Sequence, residues 1–314
     1  MNKSGISIPP RHGRGGGRKG RKTVGKRRLA GKRRSALPLI LAAAAVLAIA
    51  LIAIFLPRYL RKKPEDALDA VFFDVGQGDA ILLSFPEGEF ALIDAGSRDD
   101  AELLVEELAC RGVRRLSFAA VTHPHEDHAG GMEAVLRAIP ADKVYLSDGE
   151  NDAGYYIDLL EWLEKSGTPC GVPGNGEVVY EKAGCRVTAV YNGEGAENLN
   201  DSSLIFRAVY GETSLLLTGD AEIPEETRLL ALGGEIASDL LKLGHHGSQS
   251  STGEAFLDAV KPRYAVISCG RNNDYGHPHR EVLDRLERRG ISLSRTDREG
   301  TVLFRSDGRA WTKP

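Results

Sequence analysis

The sequence predicts an α/β body, with two packed sheets between outer helices, behind one transmembrane helix. The chain has 314 residues and carries an uncharged, mostly apolar run at Ala36–Leu56. Residues 1–34 hold 13 Lys/Arg and no acid, whereas residues 64–314 hold 24 basic and 44 acidic residues, a net charge of −20. In the body, strand-like runs alternate with helical periodicity, and a strand–turn–strand plan at Ile81–Asp94 recurs at Leu204–Asp220. Two such halves would each supply one sheet.

The N-terminal part is predicted to be a basic disordered head (1–34), a transmembrane anchor (35–57) and a linker (58–67). As a helix, Ala36–Leu56 is about 31 Å long and spans a hydrocarbon core of roughly 30 Å. It is longer than the apolar region of a cleaved signal peptide. Thirteen basic residues before the span and four after it predict a single-pass protein of the cell membrane, with its N-terminus cytoplasmic and its body extracytoplasmic. The head is a topology signal, or it contacts anionic lipid or nucleic acid.

The body, 68–314, has the composition of a folded domain, since 42% of the whole chain is apolar and 27% charged. That balance excludes disordered, collagen-like and disulfide-dense proteins. Strands are predicted at Ala70–Asp74, Ala80–Phe85, Phe90–Ile93, Leu116–Thr122, Lys143–Leu146, Glu177–Tyr180, Cys185–Tyr191, Ser203–Tyr210, Ser214–Thr218, Ser238–Leu243, Tyr264–Ser268 and Thr301–Arg305. Helices are predicted at Asp99–Arg111, Ala129–Ile139, Tyr155–Lys165, Pro224–Leu232, Gly253–Val260 and His279–Arg289.

The four cysteines, Cys110, Cys170, Cys185 and Cys269, show no C-x-x-C spacing, which excludes zinc-finger and thioredoxin-like sites. Cys170 and Cys185 flank a Gly-rich stretch and would pair in an oxidising compartment. Unpaired buried thiols are an equally good interpretation.

The strongest chemical signal is His123-Pro-His125-Glu-Asp127-His128, which directly follows a predicted strand. Three imidazoles and a carboxylate in six residues suit zinc, manganese or iron. Further ligands stand at the ends of other strands, at Asp94, at Asp220 and in His245-His246. One aspartate shared between two cations is the usual way to hold a two-metal site. The sequence therefore predicts two divalent metal ions, zinc or manganese.

At this point the sequence resembles the metallo-β-lactamase fold family, an αββα four-layer sandwich. Its motifs resemble those of the hydrolase domain in ComEC-type DNA-uptake channel proteins, over roughly Leu68 to Trp311. The motifs are Phe73-Asp-Val-Gly-Gln-Gly-Asp79, Thr122-His-Pro-His-Glu-Asp-His128, Leu217-Thr-Gly-Asp220, Leu241-Lys-Leu-Gly-His-His-Gly-Ser248 and Tyr275-Gly-His-Pro-His279.

The resemblance implies a ligand assignment for this chain. His123 and His125 would bind one metal, while Asp127, His128 and His245 would bind the other. His246 is the alternative to His245, because the spacing does not separate them. Asp220 would bridge the metals, and Asp94 would orient a ligand from behind.

The chain departs from the resemblance in two places. Many superfamily members supply a third His to the first metal, whereas this chain has Asn198-Leu-Asn200-Asp201 in that region. Asn200 or Asp201 would then be a weaker oxygen ligand, which favours manganese. The uptake channels have many membrane spans, whereas this sequence predicts one. A separate DNA-uptake channel protein is therefore the expected partner.

The predicted function is a membrane-anchored phosphodiesterase or nuclease that acts on single-stranded DNA. Besides Asp127, His277 or His279 would act in catalysis by protonating the leaving oxygen. The substrate would be contacted by Ser248, Ser251, Tyr275 and Arg271. A DNA strand would follow the basic C-terminal region, whose arginines are Arg271, Arg280, Arg288, Arg295 and Arg298, unless these form only a solvated face. The alternatives are hydrolysis of a lactone, a β-lactam or a small cell-surface phosphodiester, and a non-catalytic binding module.

Overall fold

The computed structural model describes residues 66–314. The predicted head, the Ala36–Leu56 span and most of the linker lie outside these residues. Within 66–314, no helix combines the length and the apolar character that crossing a membrane requires.

The described chain alternates strands with helices, as the sequence predicts. The strands are β1 (Leu68–Phe72), β2 (Ala80–Ser84), β3 (Phe90–Ala95), β4 (Phe118–Val121), β5 (Val144–Leu146), β6 (Cys170–Gly171), β7 (Glu177–Lys182), β8 (Cys185–Tyr191), β9 (Ile205–Tyr210), β10 (Thr213–Leu217), β11 (Leu240–Lys242), β12 (Tyr264–Ile267), β13 (Ser292–Arg295), β14 (Val302–Ser306) and β15 (Trp311–Thr312). The helices are α1 (Ala101–Cys110), α2 (Glu126–Ala129), α3 (Met132–Ala138), α4 (Gly154–Ser166), α5 (Ile223–Leu232), α6 (Glu254–Val260), α7 (Arg280–Arg288) and α8 (Thr296–Glu299). Short 3₁₀ turns lie at Pro86–Gly88 and Gly244–Gly247.

The strands form two sheets whose topology bears out the internal repeat. In the first sheet the order is β15-β14-β1-β2-β3-β4-β5-β6, and in the second it is β13-β12-β11-β10-β9-β8-β7. The hairpin β2–β3 is followed by the parallel strands β4, β5 and β6, just as the hairpin β9–β10 is followed by the parallel strands β11, β12 and β13. Strands β14 and β15 return to the first sheet, where β14 pairs antiparallel with β1.

Three apolar clusters make the four-layer sandwich. The cluster between the sheets contains Phe72 and Phe118 from the first sheet and Phe206 and Val266 from the second. A second cluster packs the first sheet against α1, α3 and α4, and a third packs the second sheet against α5, α6 and α7. Each sheet is thus apolar on both faces, which explains why β2 and β10 are buried throughout.

One predicted helix is wrong in its bounds for a local reason. The run Ala129–Ile139 is interrupted, because α2 ends at Ala129 and α3 begins at Met132. A Cβ on Gly131 would lie 2.2 Å from the carbonyl oxygen of Ala95, and one on Gly130 would lie 2.5 Å from that of Glu126. These glycines let the chain pass directly against the end of β3, which brings the His123–His128 loop to the first sheet.

Candidate metal centre

The loop after β4 is fixed by the carboxylate at the end of β3. Asp94 is fully buried, and its two oxygens accept hydrogen bonds of 2.7 Å from the backbone N–H and the hydroxyl of Thr122. Its Oδ2 also lies 2.8 Å from Nδ1 of His128. With Nδ1 engaged by this carboxylate, Nε2 of His128 is left to face the cleft. Asp94 thus fixes the orientation of the His128 ring.

The end of β10 places a second carboxylate opposite this histidine. Oδ1 of Asp220 lies 3.3 Å from Nε2 of His128, and its Oδ2 lies 3.4 Å from Nε2 of His246. Oδ2 of Asp127 lies 3.1 Å from the same His246 nitrogen. The two histidine Nε2 atoms are only 3.3 Å apart. These nitrogen and oxygen atoms, all of them possible metal ligands, therefore lie together in one small volume.

The adjacent histidines of the β11 loop have different partners. Nδ1 of His246 lies 3.0 Å from the carbonyl oxygen of Ser268, and its Nε2 enters the group formed with Asp127 and His128. Nδ1 of His245 instead lies 2.9 Å from Oε1 of Glu222, and its Nε2 stays 3.9 Å from Oδ2 of Asp220. His246 thus lies beside Asp127 and His128, which favours it over His245 as their fellow ligand, and the choice between the two stays a prediction.

A second set of nitrogen atoms lies beside Asp220. Nε2 of His123 is 3.0 Å from Nδ1 of His125 and 4.0 Å from Oδ2 of Asp220. Asn200 lines the cleft next to them. Asp201, the other residue predicted as an oxygen ligand, is buried away from the cleft, where it accepts bonds from Nδ2 of Asn198 and the backbone of Glu222. Of the two residues predicted as oxygen ligands, only Asn200 lines the cleft.

The electrostatics of the cluster favour added positive charge. Burial disfavours a charged imidazole, yet Asp220, Asp94 and Asp127 raise the pKa of His128 well above its usual value. Against the same opposing effect of burial, Asp220 and Asp127 raise the pKa of His246 to about 10. Carboxylates strong enough to draw protons onto buried imidazoles would also stabilise a divalent cation. Four imidazoles, those of His123, His125, His128 and His246, together with the carboxylates of Asp127 and Asp220 form a donor set of the kind that binds divalent metal ions.

A buried ion pair lies behind the cluster and was not predicted. Nζ of Lys242 lies 2.6 Å from Oδ2 of Asp79 and donates a 2.8 Å hydrogen bond to the carbonyl of Leu243, and both charged side chains are buried. Oδ1 of Asp79 is 3.8 Å from Nδ1 of His246. Asp79 lies near enough to Asp220, His128 and His246 to be a metal ligand. Its carboxylate, however, is paired with the ammonium group of Lys242. We therefore place Asp79 behind the ligands.

The same segment supports the His123–His128 loop through the backbone. The N–H of Asp79 donates a 3.0 Å hydrogen bond to the carbonyl of Asp127. A Cβ on Gly78 would lie 2.4 Å from that carbonyl oxygen, and Gly78 has φ +149°. Only glycine fits this contact, which explains the Gly-Asp pair in the first sequence motif.

The cleft above the cluster has a volume of about 350 Å³ and is lined by no Lys or Arg among the described residues. Besides the ligand candidates, Gln77, Glu126, Tyr155, Tyr275 and His277 line it. A larger groove of about 1000 Å³, on the strands β7–β9, contains none of the candidate ligands.

The two predicted catalytic histidines have neighbouring rings, with centroids 4.9 Å apart, but only one of them lines the cleft. His277 lines the cleft, with its ring centroid 6.4 Å from that of His246. Burial and the neighbouring imidazoles lower the pKa of His277 to about 4. His279 lies outside the lining, and its Nδ1 accepts a 3.0 Å hydrogen bond from the N–H of Gln249. Of the two, only His277 is positioned to touch a substrate.

Two predicted substrate contacts are not supported. Ser251 is fully buried, and its hydroxyl lies 2.7 Å and 3.0 Å from the carbonyls of Gly244 and Ser248. The hydroxyl of Ser248 lies 2.8 Å from that of Ser250 and is outside the cleft lining. Both hydroxyls are used to hold the β11 loop. Tyr275, in contrast, lies at the cleft.

The C-terminal arginines are mostly neutralised by nearby acids. Arg280 pairs with Asp284 at 2.7 Å and Arg288 with Glu254 at 2.6 Å. Arg295 is bonded to Asp297 at 2.7 Å, while Nε of Arg271 donates to a backbone carbonyl. Arg271 is also absent from the cleft lining. The interpretation as a solvated, internally paired face fits these contacts better than a track for DNA.

Comparison with known proteins places the chain. Residues 73–271 match the Metallo-beta-lactamase superfamily. This chain belongs to that superfamily. It is 30% identical over 256 residues to ComE operon protein 3 of Bacillus subtilis, covering 76% of this chain and 33% of that protein. It is 33% identical over 259 residues to Competence protein ComA of Neisseria gonorrhoeae, covering 82% and 35%.

A third relative has a different name. Recombination protein 2 of Haemophilus influenzae is 31% identical over 248 residues, which cover 76% of this chain and 29% of that protein. The chain thus spans about a third of the length of the three relatives. Its fold is that of a metal-dependent hydrolase, and the resemblance found in the sequence motifs is confirmed.

Proposed function

We propose that this protein is a dinuclear metal-dependent phosphodiesterase that acts as a nuclease on single-stranded DNA. One observation carries the proposal. Six candidate ligands from both sheets converge at one small cleft, and they are His123, His125, Asp127, His128, Asp220 and His246. Such convergence is what two-metal hydrolases of phosphate esters require.

The ligands divide into two sets around a shared carboxylate. His123 and His125, with Asn200 beside them, would hold the first cation. Asp127, His128 and His246 would hold the second, and Asp220 would bridge the two. When bound, the two cations would supply an activated water and Lewis-acid polarisation of the phosphoryl group.

The protein's own residues would orient the reacting groups. With metals bound, Asp94 would keep the His128 proton on Nδ1, and the Ser268 carbonyl would do the same for His246, so that both Nε2 atoms would face the cations. Asp127 is half-buried at the cleft floor, where it would align the attacking water. His277 would hold the leaving oxygen by a hydrogen bond, since it lines the cleft and His279 does not.

Single strands suit this cleft better than duplexes. About 350 Å³ accommodates one phosphodiester and its neighbouring groups, and the lining has no cation to neutralise further phosphates. The names of the relatives refer to competence and recombination, which supports DNA as the substrate. The same lack of Lys and Arg in the lining favours one alternative, a small phosphodiester or lactone.

For the cellular setting, we propose a membrane-anchored enzyme that works with a separate DNA-uptake channel. The apolar run Ala36–Leu56 would be the anchor, and the excess of basic residues before it would keep the N-terminus cytoplasmic. The body would then meet DNA on the extracytoplasmic side.

A substrate panel tests the proposed activity. Full-length protein, stripped by a chelator and reloaded with Mn²⁺ or Zn²⁺, would be assayed on single-stranded DNA, bis-p-nitrophenyl phosphate, nitrocefin and a lactone. We expect hydrolysis of the first two, and Asp220→Ala should lose both metals and at least about 10³-fold activity. Asp142→Asn, which breaks only a surface pair with Arg115, is the control. Hydrolysis of nitrocefin or lactone without DNA cleavage would select the alternative.

A further inference from the structure

An aromatic side chain, that of Tyr275, lies at the rim of the cleft and has no part in the proposed catalysis. Tyr275 is 67% exposed, the largest exposed fraction among the large apolar side chains in residues 66–314. It nevertheless lines the same cleft as His246 and Asp220. A large apolar face at the mouth of a site is a common feature of ligand contacts.

The loop that carries this ring is held by one side chain. Nδ2 of Asn273 donates hydrogen bonds to the carbonyls of Gly270 at 2.9 Å and His277 at 2.7 Å, and its Oδ1 accepts the N–H of His277 at 2.9 Å. Three bonds from Asn273 close the loop on both sides of Tyr275. The loop that carries Tyr275 is therefore already held in one conformation, so that binding a ligand there would cost little conformational entropy.

Neighbouring aromatic rings also connect Tyr275 with the candidate metal centre. The Tyr275 and His277 rings are stacked, with centroids 5.6 Å apart and planes inclined by 23°. His277 in turn stands 5.5 Å from His245, ring to ring. The His277 ring also lies 6.4 Å from that of His246, so neighbouring rings connect the rim of the cleft with a proposed ligand.

A neutral hydrogen-bond donor lies on the same side. Oε1 of Gln77 accepts the N–H of Gly270 at 3.1 Å, which fixes the amide against the base of the Tyr275 loop. Within residues 66–314, Nε2 of Gln77 donates to no other residue, and Gln77 lines the cleft. The subsite therefore offers an aromatic face and an amide donor but no positive charge.

We infer that Tyr275 and Gln77 form a binding subsite for one unpaired nucleobase, adjacent to the scissile phosphate. The base stacks on Tyr275, and the Gln77 amide donates to an acceptor on its edge. This inference rests on the proposed phosphodiesterase function and adds its specificity. Binding comes from stacking rather than phosphate neutralisation, so a base in a duplex, which cannot leave its stack, is excluded.

The test compares two end-labelled single strands with identical phosphates, an eight-residue thymidine oligonucleotide and the same length of abasic tetrahydrofuran units. The parent's kcat/KM should favour the thymidine strand by at least tenfold. Tyr275→Ala should reduce that ratio by roughly five- to a hundredfold, the range for loss of one base–aromatic stack. Tyr275→Phe should keep the ratio, and Gln77→Ala should reduce it by a smaller factor.

Leu232→Ala, which removes an apolar side chain that is 55% exposed on α5, away from the cleft, is the matched control and should keep the parent ratio. If the parent cleaves both strands equally, or Tyr275→Ala keeps the preference, the subsite is refuted while the nuclease proposal stands. If the parent cleaves neither strand, the nuclease proposal and the subsite both fail.

Discussion

The two ligand sets of the metal centre differ in how firmly the protein holds them. In the set around His246, each histidine has its Nδ1 fixed by a buried acceptor, and a buried ion pair lies behind. In the set around His125, the imidazole is only half-buried and the nearby oxygen donor is an amide, Asn200. For the two metals proposed above, the difference predicts positions of unequal affinity, a tight one at His246 and a weak one at His125.

The largest expected effect separates the two neighbouring histidines. His246→Ala removes a nitrogen from the tight position, so metal content should fall from two ions per chain to one or none, with activity lost. His245→Ala removes only a residue paired with Glu222 at the mouth, and two ions should remain. Elemental analysis of the two variants measures this directly, and the reverse result would reinstate His245 as the ligand.

A smaller effect is expected from the ion pair behind the tight position. Asp79→Asn leaves the charge of Lys242 uncompensated next to two cations and withdraws a carboxylate from His246. Affinity for the second ion should fall about 10- to 100-fold, as for other residues that support metal ligands. Competition with a chelating dye measures it, with the open position as an internal reference.

Two companion variants make the result specific. Adding Lys242→Met to Asp79→Asn removes the buried charge and should restore part of the affinity. Asp69→Asn breaks a less buried ion pair with Arg305, on β1 and β14, and should leave the metal affinity unchanged. Equal losses from Asp69→Asn and Asp79→Asn would mean that the pair acts on stability alone.

The smallest effect concerns the basic C-terminal region. Each phosphate neutralised on a single strand contributes roughly 0.7 to the log–log salt slope. Because Arg280 already pairs with Asp284, and Arg271 is outside the cleft lining, replacing Arg271, Arg280 and Arg298 together by Ala should leave the slope for DNA cleavage unchanged within about 0.3. A flattening by 1 or more would show that these arginines track the strand after all.

Much of the centre could be predicted from local sequence. The His123–His128 cluster, Asp94 and Asp220 each follow a strand, and parallel strands such as β3 and β4 deliver their carboxyl ends to one edge. The choice between His245 and His246 could not be predicted, because the two adjacent side chains diverge only through the local backbone, with φ of 46° and 53°. Spacing carries no information about that divergence.

Pairings between distant segments were also beyond prediction. No residue near Lys242 in the sequence indicates its carboxylate partner, because Asp79 lies in the hairpin β1–β2 of the other sheet. Ser251 is a second example. Its motif predicts a substrate contact, but its hydroxyl is hydrogen-bonded to two carbonyls of its own turn. The N-terminal anchor stays a prediction, as do the DNA substrate and the partner channel.

The convergence of both sheets on one cleft has a consequence for the folding pathway. Asp127 and His246 are 119 residues apart in the chain, and the sheets that carry them have separate hairpins. Closing so long a loop is entropically costly and is repaid only when the interface between the sheets has packed. Metal capture should therefore be a late event, and added metal should slow unfolding while leaving the rate of refolding nearly unchanged.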